Sequence, residues 1–258
     1  DEFPNTFYTL SGAELIHKLG KRQLRPNDGT GGAASMSSLG NAARLVFNRV
    51  QGGARNLLNL VTYYQMKKRA GTIAQGLNPF LKKVREQYPT LHFHFVGHSF
   101  GARLITATAA GAYDLSIHSI TLLQAAFSHN GFADNYSGDK DGFFRHVISE
   151  KRVSGPILIS HTKNDGPVSI AYPIASRIAR QVASGLGGKN DPYGGMGSNG
   201  AQKTPEAVNG KLLAVGNDYQ FEAGRIYNLL ADDYIKNHSD IKGEEVAYAL
   251  LTGIERSL

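Results

Sequence analysis

The sequence predicts an α/β fold, a mostly parallel central sheet flanked by helices. Three observations predict it. From residue 57 onward, short β-branched and aromatic runs alternate with stretches of helical periodicity. A glycine-bounded turn, Gly97 to Gly101, joins one such run directly to a helix-forming stretch. The length of 258 residues and the 41% of hydrophobic residues suffice for one α/β unit with a packed core. Strand–helix alternation requires right-handed crossovers and hence parallel strands.

The elements follow in order. Leu57 to Tyr64 (LLNLVTYY) reads as a strand. Thr72 to Tyr88 carries Ile73, Leu77, Leu81 and Val84 at helical spacing, and Pro89 ends it. Leu91 to Val96 is a strand, and Ser99 to Ala110, rich in Ala, Leu and Ile, is a helix. Ile117 to Ala126 and Ile157 to Ser160 are further strands, followed by a helix from Ser169 to Ala183. Arg225 to Leu230 is the last strand and Glu244 to Ile254 the last helix. These elements place a core over residues 57–258.

Two regions break the pattern. Residues 184–210 are glycine-rich and poor in large aliphatics, so they read as a long loop, either a surface insertion or an active-site rim. Residues 1–56 form an atypical, mainly helical segment, with helix-like stretches at Ala13 to Lys21 and Leu39 to Val50 and no buried strand. No internal repeat is present.

Net charge is +7, from 28 basic and 21 acidic residues. That balance favours anionic partners, including peripheral contact with anionic membranes. The basic residues are scattered. Their tightest cluster, Lys67-Lys68-Arg69, reads as a solvated positive turn rather than a binding patch. No basic helix with interleaved aromatics occurs, so nucleic acid is not an expected partner. The absence of cysteine excludes disulfides, zinc thiolates and a Cys nucleophile. No apolar run reaches the roughly 18 residues of a membrane span. The chain begins at Asp1 without Met and without a recognisable signal peptide, which leaves room for a removed N-terminal piece. The compartment stays open between cytoplasm and a secreted effector.

The chemistry-bearing motif is Gly97-His98-Ser99-Phe100-Gly101. The spacing alone is short, and its context carries the argument: a strand precedes it and a helix follows it. A serine on so sharp a turn has strained backbone angles, and Gly97 and Gly101 are expected to remove side chains that would clash. The Phe100 N–H then lies at the start of the helix, where it can meet an oxyanion. A serine hydroxyl needs a base, and the base needs an orienting carboxylate. Asp165, just after the strand Ile157 to Ser160, is the expected carboxylate; Asp134, Asp139, Asp141, Asp232 and Asp233 are its rivals. His238, between the last strand and the last helix, is the expected base, with His129 as runner-up or pocket residue. His98 reads as a hydrogen-bonding support for the turn or a pocket residue. His161 reads as a buried strand residue, and His92 and His94 as packing residues on one strand face. No His and carboxylate spacing suggests a metal site.

The segments Gly97 to Leu104, Ser160 to Val168 and Asn237 to Ile241 resemble the three catalytic segments of the α/β-hydrolase superfamily, in particular its bacterial esterase-like and lipase-like members. Tyr64 to Gly71 and Asp191 to Gly194 are similar to that group's connecting regions. The likeness covers roughly residues 56–258. It implies ester hydrolysis by a Ser99–His238–Asp165 triad through an acyl-enzyme, with no metal or organic cofactor. The front of the chain departs from the family. It offers no matching N-terminal strands and no His-Gly loop, so the second oxyanion donor is assigned to no residue.

The expected function is therefore a serine hydrolase of the carboxylesterase type, acting on a small-molecule or lipid ester. Two alternatives stand beside it: a lipase or phospholipase-type effector acting on membrane lipids, and a non-catalytic binding module on the same scaffold.

Overall fold

A computed structural model describes residues 65–165 and 194–258. The predicted strand 57–64, the predicted helix 169–183 and the N-terminal segment 1–56 lie outside the described residues. Within them, five parallel strands, β1 (His94–His98), β2 (Ser119–Leu123), β3 (Ile157–His161), β4 (Ala207–Lys211) and β5 (Ile226–Leu230), form one sheet in the order β1-β2-β3-β5-β4, and helices cover both faces. This is an α/β architecture.

The first element, α1 (residues 65–87), buries a stripe of Ala70, Ala74 and Leu81, with Leu77 and Val84 packed beside it. The intervals of three and four residues keep these side chains on one helix face. Ile73, grouped by spacing with Leu77, Leu81 and Val84, is one residue off the stripe and faces solvent. Lys67, Lys68 and Arg69 lie on this helix rather than in a turn.

Strand β1 (His94–His98) enters α2 (Phe100–Gly111) with only Ser99 between them. The strand sits about three residues later than its sequence suggests. β2 spans Ser119–Leu123, shorter than predicted, because Gln124 adopts φ 46° and cannot continue an extended strand. A short helix, α3 (Arg145–Ser149), precedes β3 (Ile157–His161). The last three elements are β4 (Ala207–Lys211), β5 (Ile226–Leu230) and α5 (Glu244–Glu255).

Alternation along the strands feeds two cores. Ile120, Leu122, Ile157 and Ile159 pack with Ala102 and Ala109 of α2, whereas Leu123, Leu158 and Leu229 pack with Val246 and Ala249 of α5. Strands buried on both faces explain why β2 and β3 read as nearly continuous apolar runs. The loop after β2 is anchored by Phe127, Phe132 and Phe144, with Phe127 edge-on to the other two at 6.0 and 5.4 Å. Among the described residues no helix is long and apolar enough to cross a membrane.

The glycine-rich stretch 184–210 differs from its reading as a loop over its described part. Residues 194–200 are buried and include a four-residue helix, α4 (Met196–Asn199), and β4 begins at Ala207. These glycines serve close approach rather than looseness. A Cβ on Gly197 would lie 2.6 Å from the Gln124 carbonyl carbon, and one on Gly200 would lie 2.6 Å from the Asn228 amide carbon. The buried Asn228 then pairs with Ala201, accepting its N–H at 2.8 Å and donating to its carbonyl at 3.0 Å. β4 itself is exposed and polar because it is the outer strand.

At the opposite end of β1, His92 stacks on His118 at 4.2 Å and His94 lies 5.8 Å from the same ring. His92 is exposed and His94 half-buried, so they form a surface cluster rather than core packing. Desolvation first, then the neighbouring His92, lowers the pKa of His94; desolvation, His92, His94 and Arg85 lower that of His118. Protonation is thus harder in the folded state than at the ordinary 6.5. Stability should be constant above that value and fall as pH drops through it, levelling off below the folded-state values. Urea unfolding at pH 7.5 and 5.5 should show this loss, and His118→Gln should reduce it; an unchanged loss in the variant contradicts the assignment.

Candidate active site

Three strand ends meet at the carboxyl edge of the sheet, the edge where α/β proteins place their ligands. Ser99 follows β1, Asp165 follows β3 by four residues, and His238 lies in the segment between β5 and α5. The fold brings all three together. His238 Nε2 is 2.9 Å from Ser99 Oγ. His238 Nδ1 lies 2.9 and 3.0 Å from the two Asp165 carboxylate oxygens.

The geometry settles the tautomer. A carboxylate only accepts, so Nδ1 carries the hydrogen and Nε2 offers its lone pair to the Ser99 hydroxyl. An imidazole so placed can draw the hydroxyl proton onto Nε2 while Asp165 holds the Nδ1–H. Asp165 is 0% exposed and the His238 side chain 18%, so the inner end of the chain is dry and the outer end is reachable.

Ser99 has φ 56° and ψ −121°, a strained conformation for a residue with a side chain. It is over-determined by its neighbours. Its N–H donates to the Leu123 carbonyl at 3.0 Å, and its own carbonyl accepts from Ala126 at 3.1 Å and Ala102 at 3.2 Å. The turn closes so tightly that a Cβ on Gly97 would lie 2.6 Å from the Gly101 carbonyl group. Gly101 differs from expectation: a Cβ there would meet nothing within 4 Å. Of the two glycines, the turn requires the first alone. Phe100 opens α2, placing its N–H in the positive first turn of that helix, beside Ser99.

The loops bearing Asp165 and His238 are tied to one another. Asp232 accepts the Thr162 hydroxyl at 2.7 Å and the Lys163 N–H at 3.0 Å. Burial pushes the Asp232 carboxyl up, but these hydrogen bonds and the charges of Lys163 and His161 outweigh it and hold its pKa below the ordinary value. Asn164 donates to the carbonyls of Asp232 and Ile235 at 3.2 and 2.9 Å. The turn bearing His238 is closed by Lys236 N–H on Asp240 at 3.0 Å and Ser239 N–H on Asn237 at 3.0 Å. His98 donates from Nε2 to the His238 carbonyl at 2.7 Å, so it steadies the base as well as flanking the turn.

The remaining sequence candidates make other contacts or face solvent. Asp232 holds the acid loop and is not the histidine's partner. Asp141 accepts the Asn135 N–H at 3.0 Å in the exposed loop that also contains Asp134 and Asp139, and Asp233 is exposed. His129 is 1% exposed; its Nδ1 accepts from the Asn199 amide at 3.2 Å, and its backbone N–H donates to Gly194. His161 is a buried residue of β3, as its sequence suggests. Sequence reasoning missed Asn164 and Thr162 as braces of the site; the only trace was their place beside Asp165. Among the described residues no group of three or more His, Cys, Asp or Glu side chains is arranged to hold a metal ion.

Comparisons with protein-family models, with curated proteins and with solved structures find no match for this chain.

The two glycines of the turn make a paired test. Gly97→Ala should destabilise by about 1–3 kcal/mol, the scale of overpacking against backbone that cannot yield. Gly101→Ala, inside α2 and facing open space, should be neutral or stabilising by up to about 1 kcal/mol. Urea midpoints of the two variants decide the matter, and equal losses at both positions would contradict this account of the turn.

Proposed function

We propose that this chain is a serine hydrolase of the α/β-hydrolase type that cleaves carboxylic esters through an acyl-enzyme. The observation that carries the reading is the continuous hydrogen-bonded path from Ser99 through His238 to Asp165, with both links near 2.9 Å. The strained backbone at Ser99 adds support, because strain of that kind gathers at reactive residues.

In the proposed mechanism Ser99 Oγ attacks the ester carbonyl as His238 Nε2 takes its proton. Asp165 stabilises the imidazolium and keeps the ring oriented. The Phe100 N–H donates to the oxyanion that develops. His238 then delivers the proton to the leaving alcohol, and water repeats the sequence to release the acid. Loss of one oxyanion donor typically costs about a hundred- to a thousandfold in rate, so the second donor, assigned to no residue here, matters as much as Phe100.

A lipase or phospholipase-type reading is favoured by the net charge of +7. Activity that rises on anionic liposomes separates it from a small-ester esterase. A binding module on this scaffold has no need of a nucleophile, base and acid in mutual hydrogen-bond reach.

Wild-type protein should hydrolyse p-nitrophenyl acetate and label with a fluorophosphonate. Ser99→Ala should abolish labelling and cut kcat by about 10⁶-fold, the scale of a triad acting as a unit. Asp165→Asn should cut kcat by about 10⁴-fold, because the asparagine amide favours the wrong tautomer of His238. Wild-type protein that neither turns over nor labels would sink the proposal.

A further inference from the structure

Gln124 is the residue at this edge that the mechanism leaves unused. It follows β2 directly, and the register that pairs His98 with Leu123 sets it level with Ser99. The register on the other side pairs Leu123 with Ser160, so Gln124 stands between the strand that leads to the nucleophile and the strand that leads to the acid. Both neighbours of this short segment grip Ser99: Leu123 accepts its N–H, and Ala126 donates to its carbonyl.

Two marks of function coincide at Gln124. Its φ of 46° is unusual for a residue with a long side chain. Its side chain is 0% exposed, yet neither carboxamide atom, Oε1 or Nε2, has a hydrogen-bond partner among the described residues. Its backbone N–H donates to Ser160 Oγ at 3.4 Å, so only the carboxamide lacks a partner among the described residues; a buried unmatched carboxamide is costly, and its place beside Ser99 points to a ligand that would match it. Ser198 adds an independent observation. It is 7% exposed, its Oγ has no partner among the described residues, and it adjoins Gly197, which presses against the Gln124 backbone.

We propose that Gln124, seconded by Ser198, is a substrate-binding residue whose carboxamide takes a neutral hydrogen-bonding group on the acyl portion of the ester. This inference rests on the serine-hydrolase reading and narrows it: esters whose acyl part carries an amide or hydroxyl are preferred over plain alkyl esters. A carboxamide offers one donating and one accepting end, which suits a neutral amide or hydroxyl and gives an alkyl chain nothing. A site built to hydrogen-bond its substrate rejects the analogue lacking the polar group, because the buried partners are then left unmatched.

The test compares two acyl groups of equal length, as N-acetylglycine methyl ester and methyl pentanoate. Gln124→Met keeps the shape of the side chain and removes both polar ends. The wild-type ratio of kcat/KM, amide ester over alkyl ester, should fall by about 10- to 100-fold in Gln124→Met, with intrinsic ester reactivity cancelling between the proteins. Ser198→Ala should lower the same ratio by a smaller factor. Should Gln124→Met not fold, inhibition of the wild type by N-acetylglycinamide against pentanamide reads the same preference, and equal inhibition overturns the proposal. A ratio unchanged in Gln124→Met, with or without a lower melting temperature, overturns it too and leaves the carboxamide to internal water. Fluorophosphonate labelling of the wild type separates the two layers: no labelling removes the hydrolase reading and this inference with it, whereas labelling with an unchanged ratio removes this inference alone.

Discussion

Ser99 is held at φ 56° and ψ −121° by three backbone hydrogen bonds, and the rest of the site is arranged around that constraint. Strain of this kind costs of order 1–3 kcal/mol and persists only where the surroundings leave no alternative. Here the surroundings are β2 on one side and the first turn of α2 on the other. Leu123 at the end of β2 and Ala126 just beyond it fix the serine, and Gly97 lets the helix fold back within van der Waals range of β1. Ser99 is therefore anchored to the sheet and does not depend on its own turn alone.

The parallel sheet turns one anchored residue into a three-residue constellation. Every strand delivers its C-terminus to the same edge, so segments far apart in the chain converge without a dedicated scaffold. Ser99 and His238 are separated by 139 positions and Asp165 and His238 by 73. Hydrogen bonds from Asn164 and Thr162 to the Asp232–Ile235 segment tie the loops bearing Asp165 and His238 together. His98 reaches from the nucleophile's own turn to the histidine's carbonyl and closes the circuit. A positioned base loses less freedom on accepting the proton, which is why such braces belong with the site.

The legible parts were those governed by local rules. The strand–turn–helix at 94–111 follows from an apolar alternating run, a glycine where no Cβ fits, and an Ala-rich helix former. Asp165 and His238 were readable because they follow apolar runs in the chain order that places them on one edge. The illegible parts are equally specific. Gly101 looks like Gly97 in the motif, yet one faces the turn's own backbone and the other faces open space. The glycines at 194–200 read as slack, whereas three-dimensional packing uses them for contact with Gln124 and Asn228. Asp232 read as a rival acid because its chain position fits, and only the bond to Thr162 reveals it as a brace.

The sequence by itself determined the α/β class, the turn at Ser99 and the chain order of Ser99, Asp165 and His238, because periodicity and steric exclusion act within a few residues. The tertiary structure alone decided which of several aspartates meets His238, which glycines are obligatory, and that the buried Gln124 carboxamide, between the strands leading to Ser99 and Asp165, has no partner among the described residues. Those outcomes depend on the register between strands and on what packs across their ends, and a hydrogen bond between residues tens of positions apart leaves no local trace in the chain.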